Sequence, residues 1–251
     1  MLFQNLLFWP LFLLATTLFI LVAVPFLAVA SCFESRRRIM YRLRRIIRWY
    51  GRTVIACGWP FVRVEYRDWA PEDNLQSIVF VCNHRSAMDA FFFSYSPVEG
   101  VQIAKSWVLR LPVYGVLARL AGYLSIHDLS LSEFYRRAGQ LLDEGVCLGT
   151  FPEGTRSRGR SMGPFNSAVF RLIQQKKATV IPMTISGSEK VMPKGAWFLR
   201  PGRVRLDKLP ALPWPAYCDL TVFKLKNTVR ETIDRHLRSI EEGSPESSLG
   251  S

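Results

Sequence analysis

The sequence has few residues of the kinds that hold metal ions or form disulfides. Its five cysteines are widely spaced without a Cys-x-x-Cys pair, and its three histidines show no ligand spacing with cysteines or carboxylates. We therefore expect no metal site and no disulfide framework, and a reducing compartment fits best. Acidic residues are also scarce, with 20 Asp and Glu against 33 Lys and Arg and a net charge of +13. This balance predicts an anionic partner, for which nucleic acid, lipid headgroups and acidic carrier proteins all qualify.

Charge is missing altogether from residues 1–33. A bilayer core needs about 20 apolar residues, so this stretch is long enough to enter or cross it. Pro10 and Pro25 can bend the segment, and both a tilted span and a re-entrant hairpin are compatible with the pattern. A cleaved signal peptide would carry positive charge before the apolar run, whereas here eight arginines follow it between positions 36 and 52. We predict a retained membrane segment, with the rest of the chain on the cytoplasmic side of the inner membrane.

In residues 35–57 apolar residues recur at helical spacing along one face, and arginines occupy the other faces. A basic amphipathic helix next to a membrane segment predicts an interfacial helix on anionic membrane lipids. Nucleic acid is rejected as a partner because no nucleic-acid-binding motif accompanies the arginines. We expect residues 1–58 to form a membrane-embedded and interfacial anchor, 59–240 an αβ domain, and 241–251 a disordered tail.

Apolar runs that alternate with helical patterns follow the anchor. The sequence predicts strands at 62–66, 78–82, 101–104, 146–151 and 178–185, helices at 86–96, 106–121, 130–142, 167–176 and 227–240, and an irregular strand pair within 201–219. This alternation predicts an α/β fold, with a mixed, largely parallel sheet flanked by helices and an N-terminal membrane-embedded helical segment.

The strand at 78–82 ends in a polar cluster that begins with Asn83 and His84 and reaches Asp89. Histidine is the side chain best suited to taking a proton near neutral pH. A carboxylate on its far ring nitrogen fixes the tautomer and stabilises the imidazolium that forms. No serine belongs to this pair, so the hydroxyl to be activated would belong to the substrate.

A second strand, at 146–151, runs into Pro152-Glu153-Gly154-Thr155-Arg156-Ser157-Arg158. Glycine lets the backbone come close to a ligand, and Arg156 offers a fork of donors suited to phosphate or carboxylate. For Arg158 a solvated basic loop and a binding role are equally compatible with the pattern. Two strand ends that deliver polar residues to one edge are how an open α/β sheet builds a site.

Gly159-Arg160-Ser161-Met162-Gly163 matches G-x-S-x-G, the nucleophile elbow of α/β-hydrolases. That motif needs a strand immediately before the serine and a helix after it. Here a polar loop precedes Ser161 and Pro164 follows, so we interpret the match as a coincidence. A membrane-associated serine hydrolase using Ser161 is the alternative enzyme, and a basic membrane-surface scaffold without catalysis is the alternative without one.

Asn83-His84-(x4)-Asp89 and the segment from Phe151 to Arg158, in this order and about 65 residues apart, together resemble the glycerolipid acyltransferase family, specifically its bacterial 1-acylglycerol-3-phosphate acyltransferase branch. The resemblance implies a membrane enzyme of phospholipid biosynthesis. Such an enzyme moves a fatty acyl group from acyl-CoA or acyl carrier protein to a lysolipid hydroxyl, without cofactor or metal. It also implies an acyl-chain tunnel, for which residues 104–124 are a candidate.

The same resemblance assigns roles to residues of this sequence. It implies that His84 is the general base and Asp89 its partner. It also implies a set of substrate-binding residues, namely Asn83, Lys105, Glu153, Gly154, Thr155, Arg156 and Arg158.

The sequence departs from the family between the two motifs. The family has a Gly-x-x-Phe-[Ile/Val]-x-Arg element there, and the matching stretch, 122–128, carries Ser125 for the phenylalanine and Asp128 for the arginine. An acidic side chain would repel a phosphate dianion. Either Arg158, Arg160 or Lys105 substitutes for the arginine, or the acceptor is a non-phosphate lysolipid such as lyso-ornithine lipid.

Overall fold

The computed structural model describes residues 2–70, 77–111, 114–157 and 161–243. These form a six-stranded sheet with the strand order β1-β6-β5-β2-β4-β3. Its strands are β1 (Val62–Asp68), β2 (Ile78–Cys82), β3 (Gly100–Ile103), β4 (Cys147–Thr150), β5 (Thr179–Ser186) and β6 (Gly202–Lys208). All neighbouring strands are parallel except β5 and β6. The predicted α/β class with a mixed, largely parallel sheet is confirmed.

Helices cover both faces of the sheet. They are α1 (Leu2–Ala30), α2 (Arg36–Ala56), α3 (Asp89–Phe92), α4 (Ser106–Leu109), α5 (Tyr114–Leu120), α6 (Leu131–Asp143), α7 (Ser167–Lys176), α8 (Ser188–Val191) and α9 (Val222–Glu242), with 3₁₀ turns at Phe93–Tyr95 and Trp214–Ala216. The apolar faces of α6, α7 and α9 pack on one side of the sheet, and α2, α3 and α8 contribute to the core on the other. The sheet is therefore buried on both faces, which explains why its central strands are continuous apolar runs.

Four elements differ from the sequence-based expectation. In place of the helix predicted at 106–121 there are two helices, α4 and α5, because α4 ends at Leu109. The helix predicted at 86–96 begins only at Asp89, because the residues before it wrap around the Asp89 carboxylate. The strand pair predicted within 201–219 is a single strand, β6, followed by a 3₁₀ turn. The closing helix begins at Val222 rather than 227, because the Thr221 hydroxyl accepts a hydrogen bond from the Lys224 amide and caps it.

The N-terminal helix α1 is the one described helix long and apolar enough to cross a membrane, and it is mostly exposed. It runs antiparallel to α2: Thr16 hydrogen-bonds Tyr50, and the ring of Phe19 stacks on Tyr50 at 4.5 Å between centroids. At its start, the Asn5 side chain donates to the Leu199 carbonyl and accepts from the Leu199 amide. The beginning of α1 is therefore fastened to the αβ domain.

Helix α2 uses part of its basic surface to hold the αβ domain. Arg37 and Arg44 both form ion pairs with Glu99, at 2.7 Å each. The guanidinium of Arg52 donates to the carbonyls of Ser94 and Tyr95. Three other arginines of α2, Arg36, Arg38 and Arg45, are exposed and make no such contact with the described αβ domain.

Candidate active site

His84 and Asp89 lie on the turn that joins β2 to α3. The His84 Nδ1 is 3.0 Å from the Asp89 Oδ2, and the Asp89 side chain is fully buried while that of His84 is 19% exposed. A carboxylate can only accept here, so Nδ1 carries the proton and Nε2 is the basic nitrogen. Within the described part of the chain Nε2 has no hydrogen-bond partner. The pair thus has the geometry that a histidine base and its orienting carboxylate require.

Backbone amides hold the Asp89 carboxylate in place. Its Oδ2 accepts hydrogen bonds from the Arg85 and Ser86 amides, both at 2.7 Å, in addition to the His84 ring. The contact with Ser86 joins the carboxylate to an amide three residues earlier, ahead of the start of α3. Charge-assisted bonds from backbone donors are short and strong, so the carboxylate is positioned before any substrate arrives.

Glu153 joins the two polar clusters that follow β2 and β4. One carboxylate oxygen accepts from the His84 amide at 2.9 Å, and the other accepts from the Gly163 amide at 2.9 Å and from the Ser157 hydroxyl. In return, the Ser157 amide donates to the His84 carbonyl at 2.8 Å. The structure therefore brings the two clusters together, with Glu153 facing inward as the tie between them.

Phe151 supports the imidazole from one side. Its ring stacks on that of His84 at 4.3 Å between centroids and 22° between planes. Together with the Asp89 contact, this stacking leaves the imidazole little freedom to rotate. Sequence reasoning did not assign a role to Phe151. Its position immediately after β4, next to the residues that follow β2, is the signal that could have indicated this contact.

The loop after Phe151 presents a basic rim. Gly154 has φ +65°, a conformation that favours glycine, and nothing lies within 4 Å of the position that a Cβ would take. Thr155 is exposed, and the half-buried Arg156 has no ion pair to another described residue. The Lys194 ammonium donates to the Arg156 carbonyl at 3.0 Å and adds a second positive charge. Arg158 lies outside the described residues.

Two other predicted site residues sit at the same edge of the sheet. Asn83 is fully buried, and its side-chain amide donates to the Ile185 carbonyl at 2.9 Å and accepts from the Ile185 amide at 2.8 Å. It therefore ties β5 to the end of β2. Lys105 follows β3, which pairs with β4, so the half-buried lysine lies two strands from His84.

The sequence model of the Acyltransferase family matches residues 62–186, which contain both polar clusters. A curated 1-acyl-sn-glycerol-3-phosphate acyltransferase of Limnanthes douglasii is 26% identical over 86% of this chain and 84% of its own length. The enzyme of that name from Haemophilus influenzae is 21% identical over 78% of this chain and 82% of its own. The chain belongs to the glycerolipid acyltransferase family. The resemblance inferred from the two motifs is confirmed, and the chain is an acyltransferase.

The fold agrees with this family membership. The crystal structure of the 1-acyl-sn-glycerophosphate acyltransferase PlsC from Thermotoga maritima superposes with a TM-score of 0.76, covering 95% of this chain and 97% of that one at 22% identity. Because this similarity extends beyond the matched domain, it includes the α1–α2 hairpin. The bacterial relative and the apolar helix α1 together point to membrane association.

Asp128, the residue that departs from the family pattern, is exposed and surrounded by donors. Hydrogen bonds from Ser106 and from Ser125, together with the charge of Arg110, lower the pKa of its carboxyl below the ordinary value. The Arg110 guanidinium is 3.4 Å from the carboxylate. Leu124, in the same segment, forms an isolated parallel bridge with Ile103 at the end of β3, so the segment 122–128 begins beside the edge strand of the sheet.

Ser161 lacks the surroundings of a nucleophile elbow. The side chain is exposed, β4 ends at Thr150, and the next helix, α7, begins only at Ser167. No described histidine is hydrogen-bonded to it. The strand–serine–helix order that activates such a serine is therefore absent from the described residues around it.

Two cavities border α3, the helix that follows the His84 turn. One of about 80 Å³ lies between α2 and strands β3 and β4, with Phe93, Gln102 and Gly149 in its wall. The other, of about 130 Å³, is lined by apolar side chains of α1 and α2 and by Ala87 and Met88 of the turn itself. Of the described residues in 104–124, the stretch considered for an acyl tunnel, only Tyr123 lines the first cavity and none lines the second.

Proposed function

We propose that the chain transfers a fatty acyl group from a thioester donor, acyl-CoA or acyl carrier protein, to the free hydroxyl of a lysophospholipid. The first candidate acceptor is 1-acylglycerol-3-phosphate, which the names of the curated relatives contain. The observation that carries the proposal is the His84–Asp89 pair at 3.0 Å, with Nε2 left as the basic nitrogen and no hydroxyl of the protein bonded to it among the described residues.

In this mechanism Nε2 of His84 removes the proton of the acceptor hydroxyl while its oxygen attacks the thioester carbonyl carbon. The C–O bond forms and the carbonyl becomes a tetrahedral oxyanion. When the C–S bond then breaks, the imidazolium returns the proton to the thiolate, so that an ester and a free thiol leave. The buried Asp89 carboxylate stabilises the imidazolium between the two proton transfers, and no acyl-enzyme is formed.

Anionic substrates suit the basic rim of the site. Arg156 and Lys194 lie together at the loop after β4, and the predicted acceptor contacts Lys105, Gly154 and Thr155 share that edge of the sheet. A guanidinium that is not engaged by a protein carboxylate can bind a phosphate bidentately. Asn83 and Glu153 serve the same site through the backbone contacts that fix the two loops.

We assign the α1–α2 hairpin to the cytoplasmic face of the inner membrane. Most large apolar side chains of α1 are exposed, while Asn5 at its start and Thr16 in its middle are tied to Leu199 and to α2. A lipid surface would cover this apolar area, and exposed arginines at the start of α2 would meet anionic headgroups. The acyl acceptor would then reach the site from the membrane itself.

Asp128 favours a second acceptor class. The hydrogen bonds that lower the pKa of its carboxyl keep it negatively charged near neutral pH, at the segment that in the family carries an arginine. A cationic or neutral lysolipid, such as lyso-ornithine lipid, would suit this charge better than a phosphate dianion.

An acceptor panel with the purified protein tests both versions. A labelled acyl donor, offered as acyl-CoA and as acyl carrier protein, is incubated with lysophosphatidic acid or lyso-ornithine lipid, and both the labelled lipid and the released thiol are measured. The His84→Ala variant should abolish transfer, whereas Ser161→Ala should retain it. Strong preference for lysophosphatidic acid would remove the lyso-ornithine proposal. Activity that survives His84→Ala and is lost in Ser161→Ala would overturn the mechanism in favour of a hydrolase-type serine.

A further inference from the structure

Arg85, immediately after the proposed base, has a side chain that plays no part in the mechanism above and yet is almost completely buried. Its side chain is 3% exposed and forms ion pairs with Glu241 on the last turn of α9 and with Glu189 on α8, the latter at 3.6 Å. A buried guanidinium is costly unless carboxylates compensate its charge. Both glutamates lie outside residues 62–186, the segment that the family model matches.

The same residue holds the Asp89 carboxylate through its backbone. The Arg85 amide donates to Asp89 Oδ2 at 2.7 Å, and so does the Ser86 amide. The side chain of Ser86 is anchored as well, since its hydroxyl donates at 2.8 Å to the carbonyl of Met192, which directly follows α8. Both amides that orient Asp89 thus belong to residues whose side chains are fixed by elements late in the chain.

We propose that the buried ion cluster of Arg85, Glu189 and Glu241 positions the Asp89–His84 pair, and that Glu241 is a positioning residue for acyl transfer. The guanidinium, held between α8 and α9, fixes the Arg85 backbone and therefore the direction of its amide. Loss of the Glu241 charge releases that restraint, and a displacement of about 1 Å in a reacting group can cost roughly 100-fold in rate. The kinetic part of this inference rests on the proposed function.

Glu241→Gln tests the inference because the amide keeps the size of the side chain and removes its charge. We expect kcat to fall about 10- to 100-fold, while KM for the lysolipid stays at the wild-type value. Arg238→Ala is the matched control on the same helix. Arg238 is 69% exposed, and within the described part of the chain its one ion pair is with Asp234, one turn away, so this variant should behave as the wild type. Should Glu241→Gln fail to fold, Glu189→Gln, which removes the more exposed and more distant partner, replaces it.

A double-mutant cycle separates positioning from general loosening of the fold. If Glu241 acts through Asp89, then Glu241→Gln in an Asp89→Asn background should lower kcat no further. Independent, multiplicative losses would overturn the inference. So would a Glu241→Gln enzyme that is folded and retains the wild-type kcat.

A spectroscopic readout does not depend on activity. The chain has only three histidines, so ¹⁵N-histidine labelling gives a simple spectrum in which His84→Ala identifies the Nδ1–H signal of His84. Glu241→Gln should broaden or shift that signal while those of the exposed His127 stay in place. An unchanged His84 signal would contradict the positioning role. If the wild-type protein transfers no acyl group to any lysolipid, the proposed function fails, and this measurement still decides the role of the ion cluster.

Discussion

Replacing Asp89 by asparagine should separate the chemistry of the His84–Asp89 pair from its architecture. An asparagine carbonyl in the place of Oδ2 can still accept from the Arg85 and Ser86 amides and from the His84 ring. Its NH₂ group would take the place of Oδ1, which is buried and has no hydrogen-bond partner among the described residues. An unsatisfied buried donor costs about 1–3 kcal/mol, so the folded state should persist.

The loss of charge has a much larger effect on the reaction. At 3.0 Å, a carboxylate and an imidazolium attract each other by about 5 kcal/mol at an effective dielectric constant of about 20. This attraction develops only when His84 has taken the proton of the substrate hydroxyl, so it lowers the barrier rather than the energy of the resting enzyme. At 1.36 kcal/mol per power of ten, kcat of Asp89→Asn should fall by roughly 10³- to 10⁴-fold.

The measurement pairs a labelled-acyl transfer assay with thermal unfolding. Asp89→Ala serves as the comparison, because it leaves the Arg85 and Ser86 amides without an acceptor and should also cost about 2–6 kcal/mol of stability. We expect Asp89→Asn to lose rate with little change in unfolding temperature, and Asp89→Ala to lose both. A folded Asp89→Asn enzyme that keeps more than about a tenth of the wild-type kcat would refute the electrostatic reasoning.

Three further outcomes are expected. In Gly154→Ala the added methyl group meets no steric obstruction, but the alanine must adopt φ +65°. This should destabilise the protein by about 1–2 kcal/mol and lower its melting temperature by about 2–8 °C. An unchanged melting curve would contradict this. Asn83→Ala removes the hydrogen-bond partner of both the Ile185 amide and the Ile185 carbonyl. The free energy of unfolding, measured with denaturant, should fall by about 2–6 kcal/mol. A decrease below about 1 kcal/mol would show that β5 does not depend on this contact. Burial raises the pKa of the Cys82 thiol well above its ordinary value. At pH 8 a maleimide should therefore label the exposed Cys218 in the native protein and label Cys82 only after unfolding. Rapid labelling of Cys82 in the native protein would refute its burial.

The location of the site could be predicted from the sequence because it follows from the ends of two apolar runs. Polar residues after β2 and after β4 must meet, since parallel neighbours present their carboxyl ends at one edge. The hydrogen bonds between Glu153 and His84 show that meeting directly. The positions of the two clusters along the chain are enough to predict where the site lies, because each cluster begins within a few residues of the end of its strand.

The direction in which each polar side chain points could not be predicted from these positions along the chain. The family resemblance implies that Asn83 and Glu153 bind substrate, and in the structure the side chains of both face inward onto backbone groups. A loop at a sheet edge has its own amides and carbonyls to satisfy, and the nearest side chains do so first. Which side chains remain for the ligand depends on neighbouring loops that local sequence does not reveal.

Long-range ion pairs were equally hidden. The arginines of α2 indicated a lipid-facing surface, but Arg37 and Arg44 bind Glu99, more than fifty positions further along the chain. Arg85 and Glu241 are 156 residues apart and meet only because α9 lies across the sheet. Charge periodicity shows that a helix face is basic, and only packing decides whether that face meets lipid, solvent or a carboxylate.

The bond between Asn5 and Leu199 has a consequence for biosynthesis. The two partners are separated by 194 residues, so at about 5–20 residues per second the first helix leaves the ribosome roughly 10–40 s before its docking site exists. Over that time an uncharged, apolar helix exposed to water is prone to aggregation. A bilayer that takes up α1 during translation would prevent this aggregation. The αβ domain would then fold against a helix that is already in the membrane.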